Sequence, residues 1–99
     1  MEINQSEISR VIVLCKKYKV KTLSAFGSVV KGNFNSASDI DFAVDFEEKD
    51  PFKYYDLYQS FKESLEQLFS RKIDLIEIRG IKNNFFKKEL DETKVLIYG

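Results

Sequence analysis

The sequence predicts a small α/β (α+β) domain, with a mixed β-sheet of about four strands flanked by helices. Residues 39–46 place a large apolar side chain at every second position and three aspartates and Ala43 between them, which is the pattern of a strand with one buried face. Residues 54–68 repeat large apolar and tyrosine side chains at helical spacing, soon after an Asp-Pro pair that is typical of a helix start. Because the chain has 99 residues, we expect one domain spanning 1–99.

The other elements are expected in chain order around these two. A first helix is predicted over about 6–18 with Asn4 or Ser6 as its cap, followed by a short strand over about 22–26 that ends at Gly27. The remaining predictions are a helical turn near 28–31, a polar loop over 33–38, a long helix ending near 69, a third strand over 71–78, a helix over 81–90 and a last strand over 95–98.

Composition excludes several classes of function. The chain has 16 basic residues (Lys plus Arg) and 16 acidic residues (Asp plus Glu), so its formal net charge is zero. Without a net positive charge, nucleic acid could bind only at a local basic patch, and direct binding is not expected. Histidine is absent, which excludes nucleophiles activated by histidine and metal sites that contain a histidine ligand. The one cysteine, Cys15, lies in an apolar helical stripe and is expected to be buried rather than reactive. Without a signal-peptide pattern or a long apolar run, the chain is predicted to be cytoplasmic, with no membrane contact.

A glycine turn precedes the alternating strand. Gly27 has no β-carbon, so backbone N–H groups at a following helix start can approach phosphate oxygens, and Ser28 adds a hydroxyl donor. Lys31 lies one helical turn beyond Ser28, where its ammonium would neutralise phosphate charge; an exposed lysine without such a role is the alternative. The turn therefore predicts a phosphate-binding site.

Two aspartates follow on one face of the strand. Asp39 and Asp41 have α-carbons about 6.6 Å apart, close enough for their carboxylates to share one Mg²⁺ or bridge two ions. Asp45 shares the face but lies about 13 Å beyond Asp41, outside the predicted site. Taken alone, an Asp-x-Asp is more typical of the exposed face of an ordinary strand than of a metal site. Asp74, in another apolar strand, adds a charge that needs a reason, although a pairing with a nearby lysine would also supply one.

Gly27-Ser28, ten intervening residues and Asp39-Ile40-Asp41 together resemble the signature of the DNA polymerase β-like nucleotidyltransferase superfamily, above all its minimal nucleotidyltransferase (MNT) domains. The resemblance covers nearly the whole chain, including the Ile-Asp-Leu strand around Asp74 and the closing helix and strand.

The resemblance implies a role for each candidate residue. The triphosphate would be bound by Gly27, Ser28 and Lys31. Many members carry Arg where this chain has Lys31, and a lysine cannot make the bidentate phosphate contact of an arginine. The three carboxylates, Asp39, Asp41 and Asp74, would ligate Mg²⁺, and the last would also position or deprotonate the attacking hydroxyl.

The resemblance also implies a reaction and a partner. Such an enzyme transfers a nucleoside monophosphate, here expected to be AMP from ATP, to a hydroxyl acceptor. MNT domains commonly act as antitoxins that attach AMP to a tyrosine of a HEPN ribonuclease toxin, so a HEPN protein is the expected partner, within a homo- or hetero-oligomer. Two alternatives stay open: a non-catalytic antitoxin that acts by complex formation, and a small-molecule nucleotidyltransferase of the aminoglycoside-modifying type, which normally carries an extra helical domain.

Overall fold

The computed structural model describes residues 3–27 and 39–99. This part of the chain contains a four-stranded sheet with the order β3-β2-β1-β4, in which β2 and β3 are parallel and the other pairs antiparallel. The mixed four-stranded sheet predicted from the sequence is therefore confirmed. Its elements in chain order are α1 (Gln5–Lys17), β1 (Val20–Phe26), β2 (Ile40–Phe46), α2 (Pro51–Phe69), β3 (Ile73–Glu77), a 3-10 turn (Ile78–Gly80), α3 (Asn84–Thr93) and β4 (Val95–Tyr98).

Side-chain caps fix where the two long helices begin. The Asn4 side chain accepts a hydrogen bond from the Glu7 backbone N–H (2.8 Å), and the Glu7 carboxylate accepts from the Asn4 N–H (3.1 Å). At the second helix, the Asp50 carboxylate accepts from the N–H groups of Phe52 (2.9 Å) and Lys53 (3.3 Å). Asn4, one of the two predicted caps of α1, and the Asp-Pro start of α2 are both confirmed.

The hydrophobic core lies between one face of the sheet and the helices α1 and α2. Phe46 on β2 packs edge-to-face against Tyr54 and Phe61 of α2, with ring centroids 5.3 and 5.8 Å apart. Cys15 on α1 is fully buried, and this burial raises the pKa of its thiol to about 12, which agrees with an unreactive core residue. The apolar face predicted for β2 is buried throughout, comprising Ile40, Phe42, Val44 and Phe46.

Several element boundaries differ from the sequence prediction, among them the start of β3, which is Ile73 rather than 71, and the end of α3, which is Thr93 rather than 90. Strand β1 begins earlier, at Val20. Strand β3 ends at Glu77, because the chain then turns through Ile78–Gly80. Helix α3 begins at Asn84, later than expected, because the Asn83 side chain accepts the Phe86 N–H (3.1 Å) and so caps the helix there.

The predicted polar face of β2 is not polar along its whole length. Ala43 is fully buried, and its cross-strand partner Ser24 is also buried, so the second face of the sheet is covered at its centre. The predicted turn near 28–31 and loop over 33–38 lie outside the described residues. Among the described helices, none is both long and apolar enough to cross a membrane.

Candidate active site

The aspartates singled out in the sequence lie at one end of the sheet. Asp41, near the start of β2, has Phe26 of β1 as its strand partner on one side and Asp74 of β3 on the other. Asp39 comes just before β2 and is exposed. We call this region, defined by Gly27, Asp39, Asp41 and Asp74, the acidic end.

The side chains of Asp41 and Asp74 lie side by side, because directly paired residues on neighbouring strands project from the same face. Burial raises the pKa of Asp41, and the negative charges of Asp74 and Asp39 raise it further. Neither of the two ion pairs formed within the described ranges includes any of these aspartates. A pairing of Asp74 with a lysine is therefore not found there, and the acidic end is a concentration of like charge.

Gly27 has a structural reason to be glycine that the sequence did not reveal. Its φ is +75°, a left-handed conformation that favours glycine. A β-carbon at this position would collide with a carboxylate oxygen of Asp41 and would lie 3.3 Å from its Cγ. The absent side chain thus makes room for the Asp41 carboxylate at the end of β1. Its contact with phosphate stays a prediction, and the other predicted nucleotide-binding residues, Ser28 and Lys31, lie outside the described residues.

The donors at the acidic end fit a hard divalent cation in chemical type. Magnesium prefers carboxylate oxygens, and a cation beside Asp41 would relieve the repulsion that raises its pKa. Within 3–27 and 39–99, no three acidic or cysteine side chains converge into a complete metal site. Magnesium is commonly bound by one or two carboxylates together with substrate phosphates. Two of the carboxylates at the acidic end would therefore match the number of protein ligands expected for an ion that binds together with a nucleotide.

The opposite end of the sheet carries a neutralised aspartate. The Arg79 guanidinium pairs with Asp45 (2.9 Å) and donates to the carbonyl oxygens of Phe46 (2.7 Å) and Glu48 (2.8 Å). It also lies 4.0 Å from the centroid of the Tyr54 ring. We call this region, centred on Arg79 and Asp45, the clamped end. Sequence reasoning missed Arg79, because its partners are far away along the chain and no local pattern marks it.

A cavity of about 550 Å³ opens beside the clamped end and is lined in part by Lys21, Lys49 and Arg79. This cavity indicates an active site less strongly than the clustered aspartates of the acidic end do. The donors of Arg79 are already bonded to Asp45 and to two backbone carbonyls, so this arginine is committed to holding structure together.

The fold and the acidic end together define a nucleotidyltransferase. Residues 9–99 match the family described as Polymerase beta, Nucleotidyltransferase, and the chain belongs to this family. The resemblance identified from the Gly-Ser and Asp-x-Asp motifs is confirmed.

Two similar proteins are named as protein adenylyltransferases. A candidate protein adenylyltransferase of Methanocaldococcus jannaschii is 34% identical over 97 residues, covering 93% of this chain and 96% of the relative. The protein adenylyltransferase MntA of Thermococcus cleftensis is 34% identical over 80 residues, covering 80% of this chain and 77% of the relative.

Solved structures agree on the fold. A candidate minimal nucleotidyltransferase superposes with a TM-score of 0.77 at 24% identity, covering 92% of this chain and 89% of that one. A structure of tri-AMPylated Shewanella oneidensis HEPN toxin in complex with an MNT antitoxin superposes with a TM-score of 0.65 at 20% identity, covering 98% of this chain and 73% of the matched chain.

Proposed function

We propose that this chain transfers AMP from ATP to a tyrosine hydroxyl of a HEPN-domain toxin and thereby acts as its antitoxin. The observation that carries the proposal is the pairing of Asp41 with Asp74 beside the Gly27 turn. The relatives named as protein adenylyltransferases support AMP as the transferred group, and the complex of an MNT antitoxin with an AMPylated HEPN toxin supports the choice of acceptor. Because ATP is the donor, the cytoplasm is the proposed compartment.

In the proposed reaction, the acceptor hydroxyl oxygen attacks the α-phosphorus of ATP in line. A bond forms between that oxygen and the α-phosphorus, and the bond from the α-phosphorus to the bridging oxygen breaks. Pyrophosphate leaves with the electron pair, and the Asp74 carboxylate accepts the proton of the hydroxyl. The partly exposed position of β3 at the sheet edge leaves Asp74 accessible to an acceptor that docks from outside.

The other candidate residues bind and orient the nucleotide. Asp39 and Asp41 would hold Mg²⁺, which when bound neutralises phosphate charge and polarises the α-phosphoryl group. Gly27, Ser28 and Lys31 would bind the triphosphate through backbone N–H groups, a hydroxyl and an ammonium. Positioning and charge neutralisation would account for most of the rate enhancement, because phosphoryl transfer needs little covalent participation by the protein.

The direct test is to incubate the cognate HEPN protein with this chain, ATP and Mg²⁺ and to measure the mass of the HEPN protein. We expect added AMP with wild type and with Asp45→Asn, and only slow residual addition with Asp74→Asn. A folded wild-type chain that binds the HEPN protein without adding mass would contradict the proposal. Neutralisation of the toxin in cells by an Asp39→Ala, Asp41→Ala variant would favour the non-catalytic antitoxin instead.

A further inference from the structure

Among the strands of residues 3–27 and 39–99, β3 lies at an edge of the sheet, with β2 as its one strand neighbour there. Two side chains of α2 bond its backbone immediately before and after Asp74. The Glu66 carboxylate accepts the N–H of Ile73 (3.3 Å), and the Tyr58 hydroxyl donates to the carbonyl of Leu75 (2.6 Å). Both side chains belong to α2, where they lie about two helical turns apart.

The two bonded residues direct their backbone groups away from β2. Strand residues alternate, so Ile73 and Leu75 point their N–H and C=O groups to one side and their neighbours to the other. The Lys72 carbonyl accordingly faces β2, where it accepts the N–H of Ile40 (3.3 Å). On the open side of β3, α2 therefore supplies hydrogen bonds that another strand would otherwise make.

We propose that Tyr58 and Glu66 are positioning residues for Asp74, holding its carboxylate beside Asp41 for the proton-transfer step. The proposal rests on the proposed function, since it takes Asp74 as the group that receives the acceptor's proton. An edge strand supported on one side can fray or shift, and a shift by one residue would turn Asp74 to the opposite face. The two bonds restrain the backbone at the residues on both sides of Asp74.

Packing and positioning can be separated in α2. Phe61 and Leu65, which are fully buried, supply the packing of this helix in the core. The Tyr58 hydroxyl and the Glu66 carboxylate instead extend to the strand backbone, so their polar atoms can be changed with little change in the core. Tyr58→Phe removes the donor and keeps the ring. Glu66→Gln keeps an acceptor for Ile73, whereas Glu66→Leu removes it.

The first measurement does not depend on activity. Native-state hydrogen exchange of the Ile73 amide should be about ten-fold faster in Glu66→Leu than in Glu66→Gln, with amides of the central strands β1 and β2 unchanged. Equal exchange at Ile73 in the two variants would overturn the proposal. This result stands whether or not the chain transfers AMP, so a wild type without transfer would refute the proposed function alone.

The second measurement is the single-turnover rate of AMP transfer at saturating ATP. Tyr58→Phe and Glu66→Leu should each slow transfer about ten-fold, with less than about a two-fold change in ATP affinity. Tyr18→Phe is the matched control, because it removes a half-buried tyrosine hydrogen bond to Ser64 (3.1 Å) that involves no residue of β3. We expect it to transfer at the wild-type rate.

A double-mutant cycle then distinguishes positioning from general destabilisation. In an Asp74→Asn background, Tyr58→Phe should cause no further loss, because the group that it positions is already absent. An equal loss in both backgrounds, or an equal loss in Tyr18→Phe, would overturn the proposal.

Discussion

Asp41 and Asp45 lie on the same strand and the same face, yet their surroundings are opposite in charge. At the clamped end, Arg79 pairs with Asp45 at 2.9 Å. At the acidic end, Asp41 is beside two further carboxylates and takes part in no ion pair with another described residue. Both residues are aspartates, so the difference comes from the side chains that the fold places beside each of them. An aspartate with a matched base is explained by structure, whereas carboxylates that crowd together without such a base among the described residues agree with the predicted cation site.

The largest effect should be on nucleotide binding. The Asp39→Ala, Asp41→Ala variant should bind ATP with Mg²⁺ about 100-fold more weakly or worse, because it removes carboxylates that would hold the ion against the phosphates. Asp45→Asn should bind as wild type does. Titration calorimetry measures both, and equal losses in the two variants would remove the distinction between the ends.

The next effect compares one glycine from each end. Gly27→Ala should lower the free energy of unfolding by about 2–3 kcal/mol, since it places a β-carbon against the Asp41 carboxylate in a left-handed conformation. At Gly80, an added β-carbon would lie 3.6 Å from Glu77, an ordinary contact, so Gly80→Ala should stay within about 0.5 kcal/mol of wild type. Urea unfolding measures both; similar losses would show that the acidic end imposes no special constraint.

A smaller effect is expected from removing the clamp. Arg79→Met should lower the free energy of unfolding by about 1–2 kcal/mol, because it removes the pair with Asp45 and two hydrogen bonds to carbonyls. Arg79→Lys should recover little of this loss, since an ammonium lacks the planar fork. ATP binding measured by calorimetry should be unchanged in both variants, and a loss there would mean that the clamp supports the acidic end.

The smallest expected effects are two changes in the free energy of unfolding that have opposite signs. Without Mg²⁺ at pH 7, Asp41→Asn should raise the free energy of unfolding slightly, because it removes a partly buried charge among like charges. Asp45→Asn should lower it, because it removes the partner of Arg79. Both changes should be under about 1 kcal/mol, given the solvent exposure of these groups. Urea unfolding of the pair decides; a loss of stability in Asp41→Asn would contradict this reading of the acidic end.

The sequence predicted elements best where the signals are local. Helix α2 begins and ends as predicted, because the Asp-Pro start and the apolar stripe both lie within the segment itself. Alternation likewise predicted which face of β2 is buried, but it cannot say whether the other face is also covered, and the burial of Ala43 was missed. The start of α3 was predicted at 81, three residues too early, because Asn83 was not recognised as the cap.

The site was predictable in its residues but less so in its supports. The motif spacing indicated Asp39 and Asp41 and, with the family resemblance, Asp74, but their roles in binding and catalysis stay predictions. The pairing of Asp41 with Asp74 depends on a parallel register formed across a helical crossover, which no local pattern determines. Arg79, Tyr58 and Glu66 were missed for the same reason, since each bonds to a group brought near only by the complete fold.

The parallel register of β2 and β3 also affects how the acidic end is assembled during folding. Gly27 directly follows β1, and Asp41 lies on its antiparallel partner β2, so the two are close along the chain and can meet early. Asp74 joins them only after the chain has passed through α2 and returned, which is a long-range closure and intrinsically slow. A ligand that requires both aspartates can bind only the completed sheet. Such a ligand would therefore stabilise the folded state by mass action, and Mg²⁺ with ATP would act in this way wherever Asp74 contributes to the predicted metal site.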